Sequence, residues 1–257
     1  MILPGLTDPT LAMLALVFVV ILSGAMVHGT LGLGFAMVTT PLLTLFTDVR
    51  SAMLMILVPT LAITLISLLK GGNWRLSIGR YWPLAIYGAV GSLIGTRLII
   101  VSDPGPYKLL LAGMMILYLN QNRIGLRMGW VRRRKSLAMA VFGLAAGILG
   151  GTVNVMVPVL IVFALEMRIA PVVTVQVFNF CFLLGKFAQA VVFAQAGLLT
   201  APMLLHTLPL TALAVTILVA GMWLRRQVDT EVYRKWLRWV LSVIALVLIG
   251  QYGLQAL

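Results

Sequence analysis

Carboxylates are scarce in this chain. It carries six Asp and Glu against 19 Lys and Arg over 257 residues. The six are Asp8, Asp48, Asp103, Glu166, Asp229 and Glu231, and each falls in a loop or terminus of the layout derived below. No carboxylate lies deep in an expected span, so the usual buried Asp or Glu proton carrier is missing. Cysteine is nearly absent too: Cys181 alone can form neither an internal disulfide nor a metal site. The two histidines, His28 and His206, stand far apart in sequence. No acid–base pair, metal cluster or activated nucleophile of an intramembrane enzyme is visible around them. Charged residues make up 10% of the chain, where a soluble domain carries about 25%. No stretch is long and polar enough for a second, soluble domain. Met1 to Thr10 holds Asp8 and no Lys or Arg. It therefore lacks the basic leader of a cleavable signal peptide, and the first apolar stretch is expected to stay as a span.

What the chain has is apolar length. It is 61% hydrophobic with a mean hydropathy of +1.09. A spanning helix needs about 20 largely apolar residues, and apolar length broken by charge predicts ten helical segments. They lie near 11–27, 31–46, 51–69, 81–101, 107–121, 137–150, 153–165, 171–194, 202–223 and 236–253. The second, sixth and seventh are short for a full crossing of a roughly 30 Å core. The net charge of +13 would suggest nucleic acid in a soluble protein. Here no basic stretch alternates with stacking aromatics, so no nucleic-acid partner is expected. The charge instead sits between apolar stretches, as the positive-inside rule and contact with anionic headgroups require. Loop 70–80 holds Lys70, Arg75 and Arg80. Loop 122–136 holds Arg123, Arg127, Arg132, Arg133, Arg134 and Lys135, and region 225–238 holds Arg225, Arg226, Arg234, Lys235 and Arg238. With both termini outside, all three fall in the cytoplasm. Trp74, Trp82, Trp130, Trp223, Trp236 and Trp239 flank these loops as interfacial anchors would.

The chain also repeats itself. With Pro41 set on Pro158, Gly34 falls on Gly151, Leu43 on Leu160 and Phe46 on Phe163; later Gly95 falls on Gly221 and Tyr107 on Tyr233. Five segments per half is an odd number, so the halves enter the membrane in opposite senses. The expected fold is an all-α polytopic membrane protein of two inverted-topology five-segment repeats, with glycine-broken or re-entrant helices. Residues 1–121 form the first repeat, 122–136 a basic cytoplasmic linker and 137–257 the second repeat. Whether the first two segments of each half cross fully or turn back at mid-membrane stays open, since either keeps the parity.

Each half opens on a break. The first contains Gly24, His28, Gly29, Thr30, Gly32 and Gly34, then Thr39, Thr40 and Pro41. The second contains Gly143, Gly147, Gly150, Gly151, Thr152 and Asn154, then Pro158. Closely spaced glycines disfavour a continuous helix, and unwound backbone survives in lipid only against protein or a water-filled cavity. Two readings compete: close helix packing through small residues, or a pair of helix N-termini whose free N–H groups face an anion. Duplication in both halves favours the second. In the eighth segment Gln176, Asn179 and Lys186 fall within a helical arc of roughly 80° and make a polar stripe about 15 Å long. Lys186 lies about 12 Å from the outer end, beyond snorkelling reach, which marks it as a functional-site candidate. Arg97, near a span end, reads as a snorkelling residue, and His206 as structural. His28 is either a substrate or titrating group or a water-satisfied surface residue. Thr39, Thr40 and Thr152 have bonds to their own helix carbonyls as the competing explanation.

The glycine-rich break followed by an apolar run and a proline, twice in one basic inverted-repeat chain, resembles the TauE/SafE sulfite exporter family from about Leu11 to Gly250. The resemblance implies a secondary transporter in the bacterial cytoplasmic (inner) membrane that carries sulfite, organosulfonates or related small anions and works as an exporter by alternating access. The substrate-binding candidates are His28, Thr30, Gly32, Gly34, Thr39, Thr40, Gly150, Gly151, Thr152, Asn154, Gln176, Asn179 and Lys186. No catalytic residue, metal or cofactor is expected; the partners are a small anion and the lipid bilayer, with homo-oligomerisation open. A non-transporting membrane scaffold is the alternative, ahead of an intramembrane enzyme.

Overall fold

The computed structural model describes residues 11–72, 74–103, 105–120 and 128–225, with isolated helical positions between 239 and 250. The expected tenth segment, Met1 to Thr10, and parts of the basic linker and of region 225–238 lie outside the described residues. In chain order the helices are α1 (Leu11–Leu31), α2 (Phe35–Leu43), α3 (Val49–Met55), α4 (Leu57–Lys70), α5 (Trp74–Val101) and α6 (Gly105–Asn120). They continue as α7 (Gly129–Arg133), α8 (Lys135–Val153), α9 (Val157–Glu166), α10 (Pro171–Gln195) and α11 (Ala201–Leu224). No strand occurs among the described residues.

Helices α1, α5, α8, α10 and α11 are each long and apolar enough to cross a bilayer. The pair α3 and α4 makes a sixth candidate span, bent by 54°. The sequence reads that stretch as one segment, 51–69. Pro59 accounts for the bend: it has no N–H for the Met55 carbonyl, and its ring displaces that carbonyl from the helical ladder. Leu16, Val19, Ile86, Ile94, Leu205 and Leu208 are exposed on the outside of the bundle. In water such a surface would drive aggregation; facing lipid it is the ordinary state of a spanning helix. This is an integral membrane protein.

Two helix pairs form the frame, α1 along α11 and α5 along α8. Glycine permits the close approach in both. A Cβ at Gly29 would lie 2.5 Å from the Leu218 carbonyl oxygen, and one at Gly95 would lie 2.3 Å from that of Ile148. Small residues at such crossings let backbones meet without side chains between them. Gly29 and Gly151 are helical, so α1 runs past the expected end at 27 to Leu31, and α8 runs past 150 to Val153. The true breaks are shorter and lie just beyond. Gly32 (φ 80°) and Gly34 (φ 111°) turn the chain in the first, and Asn154 (φ 64°) turns it in the second. All three occupy conformations that favour glycine or asparagine.

The helix ends allow a second alignment of the two halves beside the expected one. The end of α1 (Leu31) and the starts of α2 (Phe35) and α3 (Val49) fall at the same spacing as Val153, Val157 and Pro171 in α8, α9 and α10. This sets Gly32 on Asn154 rather than Pro41 on Pro158. The prolines differ in role: Pro41 lies inside α2, while Pro158 occupies the first turn of α9. Helix α2 has nine residues and α9 has ten, a rise of about 14–15 Å, or half a bilayer core. Neither can cross alone. Helix α2 folds back on α1, with Gly24 against Thr39 and Val27 against Gly34.

Candidate functional site

Gly34 caps α2 with a backbone in the left-handed region and has no side chain to offer the first turn. The first N–H groups of a helix have no carbonyl partner within it. That of Phe35 reaches Nδ1 of His28 at 3.4 Å, and those of Ala36 and Met37 follow. At the start of α9 the cap, Met156, likewise makes no side-chain hydrogen bond, and Pro158 removes one donor from the first turn. Neither helix has an acidic residue in its first turn. The positive end of each helix dipole is therefore left without a compensating carboxylate.

Both N-termini open on one cavity. Gly34 to Met37 line it from α2, Met156 and Val157 from the start of α9, and Phe182, Gly185, Lys186 and Gln189 from α10. Thr60 and Thr64 of α4, Ser92 of α5, and His28, Gly150 and Asn154 complete the wall. No carboxylate is among the described lining residues. Lys186 is nine residues short of the end of α10, about 14 Å along the helix axis, and is 7% exposed. Its ammonium donates to Oε1 of Gln189.

Of the residues singled out from sequence, His28, Gly34, Gly150, Asn154 and Lys186 come together on the cavity. Asn179 stands behind His28. Its two amide N–H groups go to the carbonyls of Gly32 (2.8 Å) and Val175 (2.9 Å), which leaves Oδ1 facing Nε2 of His28 at 3.1 Å. Because Nδ1 accepts from Phe35 and Oδ1 of Asn179 can only accept, the imidazole proton sits on Nε2. Ser67 Oγ lies 3.1 Å from the same nitrogen. His28 is thus buried and held by α2, α4 and α10, not at a water-exposed surface.

Six other candidates face elsewhere. The hydroxyls of Thr30, Thr39 and Thr152 donate to the carbonyls of Met26, Phe35 and Ile148 on their own helices, as side chains of this type do in spans. Gly151 packs on α5, where a Cβ would lie 2.5 Å from the Ser92 carbonyl oxygen. Gln176 donates to the Gly71 carbonyl at 2.6 Å and accepts from Ser77 at 2.8 Å, tying α10 to the end of α4 and to α5. Thr40 is buried behind the wall and accepts from Nδ2 of Asn154 at 2.8 Å, joining the two breaks. The residues that sequence reasoning missed are Gln189, Thr60, Thr64, Ser67 and Ser92. Gln189 lies one helical turn beyond Lys186, so extending the α10 polar stripe would have found it.

The Thr40–Asn154 bond has a measurable consequence. Asn154→Gly keeps the left-handed backbone and loses only the bond, so it is expected to lower stability by about 1 kcal/mol. Asn154→Ala adds the left-handed penalty of about 1–2 kcal/mol. Thr40→Val should match Asn154→Gly, and the double variant should cost no more than either single change. Thermal unfolding in detergent reads all four.

No group of three or more His, Cys, Asp or Glu suited to a metal occurs among the described residues. Neither the curated proteins nor the solved structures yield a match to this chain. The model of one protein family, the sulfite exporter TauE/SafE, matches residues 16–248, and the chain belongs to that family.

Proposed function

We propose that the protein exports a small oxyanion, sulfite or an organosulfonate, and holds it in the cavity between the starts of α2 and α9 beside Lys186. Membership of the family makes the chain a membrane protein of a transporter family for sulfite-type anions. One observation carries the finer reading. Two helix N-termini whose cap residues offer no side-chain hydrogen bond and a buried lysine converge on a cavity with no carboxylate among its described lining residues. Helix N-termini favour negative charge through both their N–H groups and their dipoles. A lysine buried without a carboxylate partner finds its counter-charge in the cargo. The anion-contacting groups are the backbone N–H groups of the α2 and α9 first turns and Lys186, with Asn154 and His28 holding the breaks in place.

In this reading the halves 1–121 and 137–257 are inverted repeats that rock about the site, exposing it to either side in turn. Both termini face outward and the basic loops face the cytoplasm, in a bacterial inner membrane. The cargo is transported unchanged, and no residue acts as a catalyst.

Flux into and out of proteoliposomes tests this. Sulfite, sulfate, taurine, sulfoacetate and acetate are compared against protein-free vesicles. Selective movement of a sulfur oxyanion or sulfonate is the expected result. No flux of any of them, from protein shown to be folded, would overturn transport of this class and favour the scaffold role.

A further inference from the structure

We infer that Gln189 is a second anion-contacting side chain of the cavity, one that both steers Lys186 and donates to the cargo through its own amide. The inference rests on the proposed anion site and assigns it a residue that neither the polar stripe nor the glycine breaks pointed to. A lysine ammonium can only donate, so the atom of Gln189 that meets Lys186 must be the carbonyl oxygen Oε1. That fixes the amide orientation on chemical grounds and turns Nε2, with two N–H groups, the other way. Gln189 is 0% exposed and lines the cavity, yet its Nε2 has no hydrogen-bond partner.

An unpartnered buried donor calls for a ligand or a bound water. The surrounding wall shows which kind. Thr60 directs its hydroxyl proton to the Ile56 carbonyl, Thr64 to that of Thr60 and Ser92 to that of Gly185, while Asn154 gives one amide N–H to Thr40. The side-chain donors left over are those of Gln189 Nε2, the second N–H of Asn154 Nδ2 and the two remaining N–H groups of Lys186. What fits between them and the α2 first turn is a group rich in acceptors and negatively charged. The two other orphaned buried groups, the hydroxyls of Thr47 and Thr96, do not line the cavity. Among the described residues, Gln189 Nε2 is thus the buried side-chain atom on the cavity that has no partner at all.

Gln189→Glu separates this role from a structural one. The substitution preserves side-chain shape and keeps an acceptor for Lys186, but replaces the donor with a negative charge. Binding of sulfate and of methanesulfonate to the purified full-length protein is followed by calorimetry. Weakening of about 10–100-fold is expected for methanesulfonate, the range for a lost hydrogen bond to a charged group. The loss for sulfate should be larger, because the added charge repels a dianion about twice as strongly as a monoanion. A packing defect would weaken both anions alike. Gln189→Met, close in volume and uncharged, is the second variant, and about tenfold weaker binding of both anions is expected. Wild-type affinity in either folded variant would overturn the inference while leaving the anion site standing. Wild-type protein that binds neither of these anions nor sulfite would overturn the site itself, before any variant is compared.

Discussion

Gly147→Ala is expected to lose most of the folded protein, and Gly147→Val all of it. A Cβ at Gly147 would lie 2.1 Å from the Gly88 carbonyl oxygen, 2.8 Å from its carbon and 2.8 Å from the Ser92 nitrogen. All three atoms belong to the backbone of α5, so no side chain can rotate out of the way. The helices must part, and they are in close contact at several points. A Cβ at Gly91 would meet the Leu144 carbonyl oxygen at 2.3 Å, and one at Gly143 would meet that of Leu84 at 2.6 Å. Separating α5 from α8 at one glycine therefore loosens the contacts on both sides of it. Overpacking a core costs about 1–3 kcal/mol where neighbours can adjust, and more where they cannot. The expected loss is above about 3 kcal/mol, read as an early unfolding midpoint and an aggregated size-exclusion profile in detergent. Gly113→Ala is the control. A Cβ there meets nothing within 4 Å, and alanine favours helix over glycine by about 0.5–1 kcal/mol. An unchanged midpoint for Gly147→Ala would show that close approach of these two helices does not hold the halves together.

The glycines also show how far the sequence could be read. Clustered glycines in an apolar chain signalled either a break or a tight crossing, and both occur, at different residues. Gly29, Gly147 and Gly151 are crossing residues within intact helices, whereas Gly32 and Gly34 form the break itself. Composition cannot separate these roles, because the choice depends on what lies opposite. Gly221 is opposite Gly29, and α5 is opposite Gly147, both remote in sequence. The long spans were legible because lipid demands about 20 apolar residues of any crossing helix. Their ends were not: α5 begins at Trp74, before the expected 81, since Arg75 and Arg80 interrupt apolar length without interrupting a helix. In the second half the turning residue is Asn154, not a glycine, so a search for glycine alone placed the break too early. The wall of the cavity drew on five separated stretches, and only Lys186 announced itself by charge. Thr60, Thr64 and Ser92 carry no such signal, because hydroxyls in spans usually bond to their own helix.

Lys186→Met is expected to abolish anion flux, by at least about 100-fold, while leaving the protein as stable as before or more so. The two effects have opposite signs for a physical reason. A cationic side chain inside a span costs about 2.5–3.5 kcal/mol on insertion scales, and Gln189 is its one hydrogen-bonding partner among the described residues. Methionine fills a similar volume without that penalty. A residue retained for packing would show the reverse pattern, with stability lost and function following it. Lys186→Arg keeps the charge, but its planar fork is larger and reaches differently from an ammonium. Partial flux with altered selectivity among sulfite, sulfate and acetate is expected of it. Lys186→Glu places a carboxylate in the cavity that Ala36, Met37 and Val157 line from the first turns of α2 and α9. It should occupy the N–H donors of those turns itself and block flux as completely as methionine does. Proteoliposome flux and detergent unfolding on the same preparations read both quantities. Wild-type flux in Lys186→Met would remove the lysine from the site and leave the two helix N-termini as its only fixed positive groups.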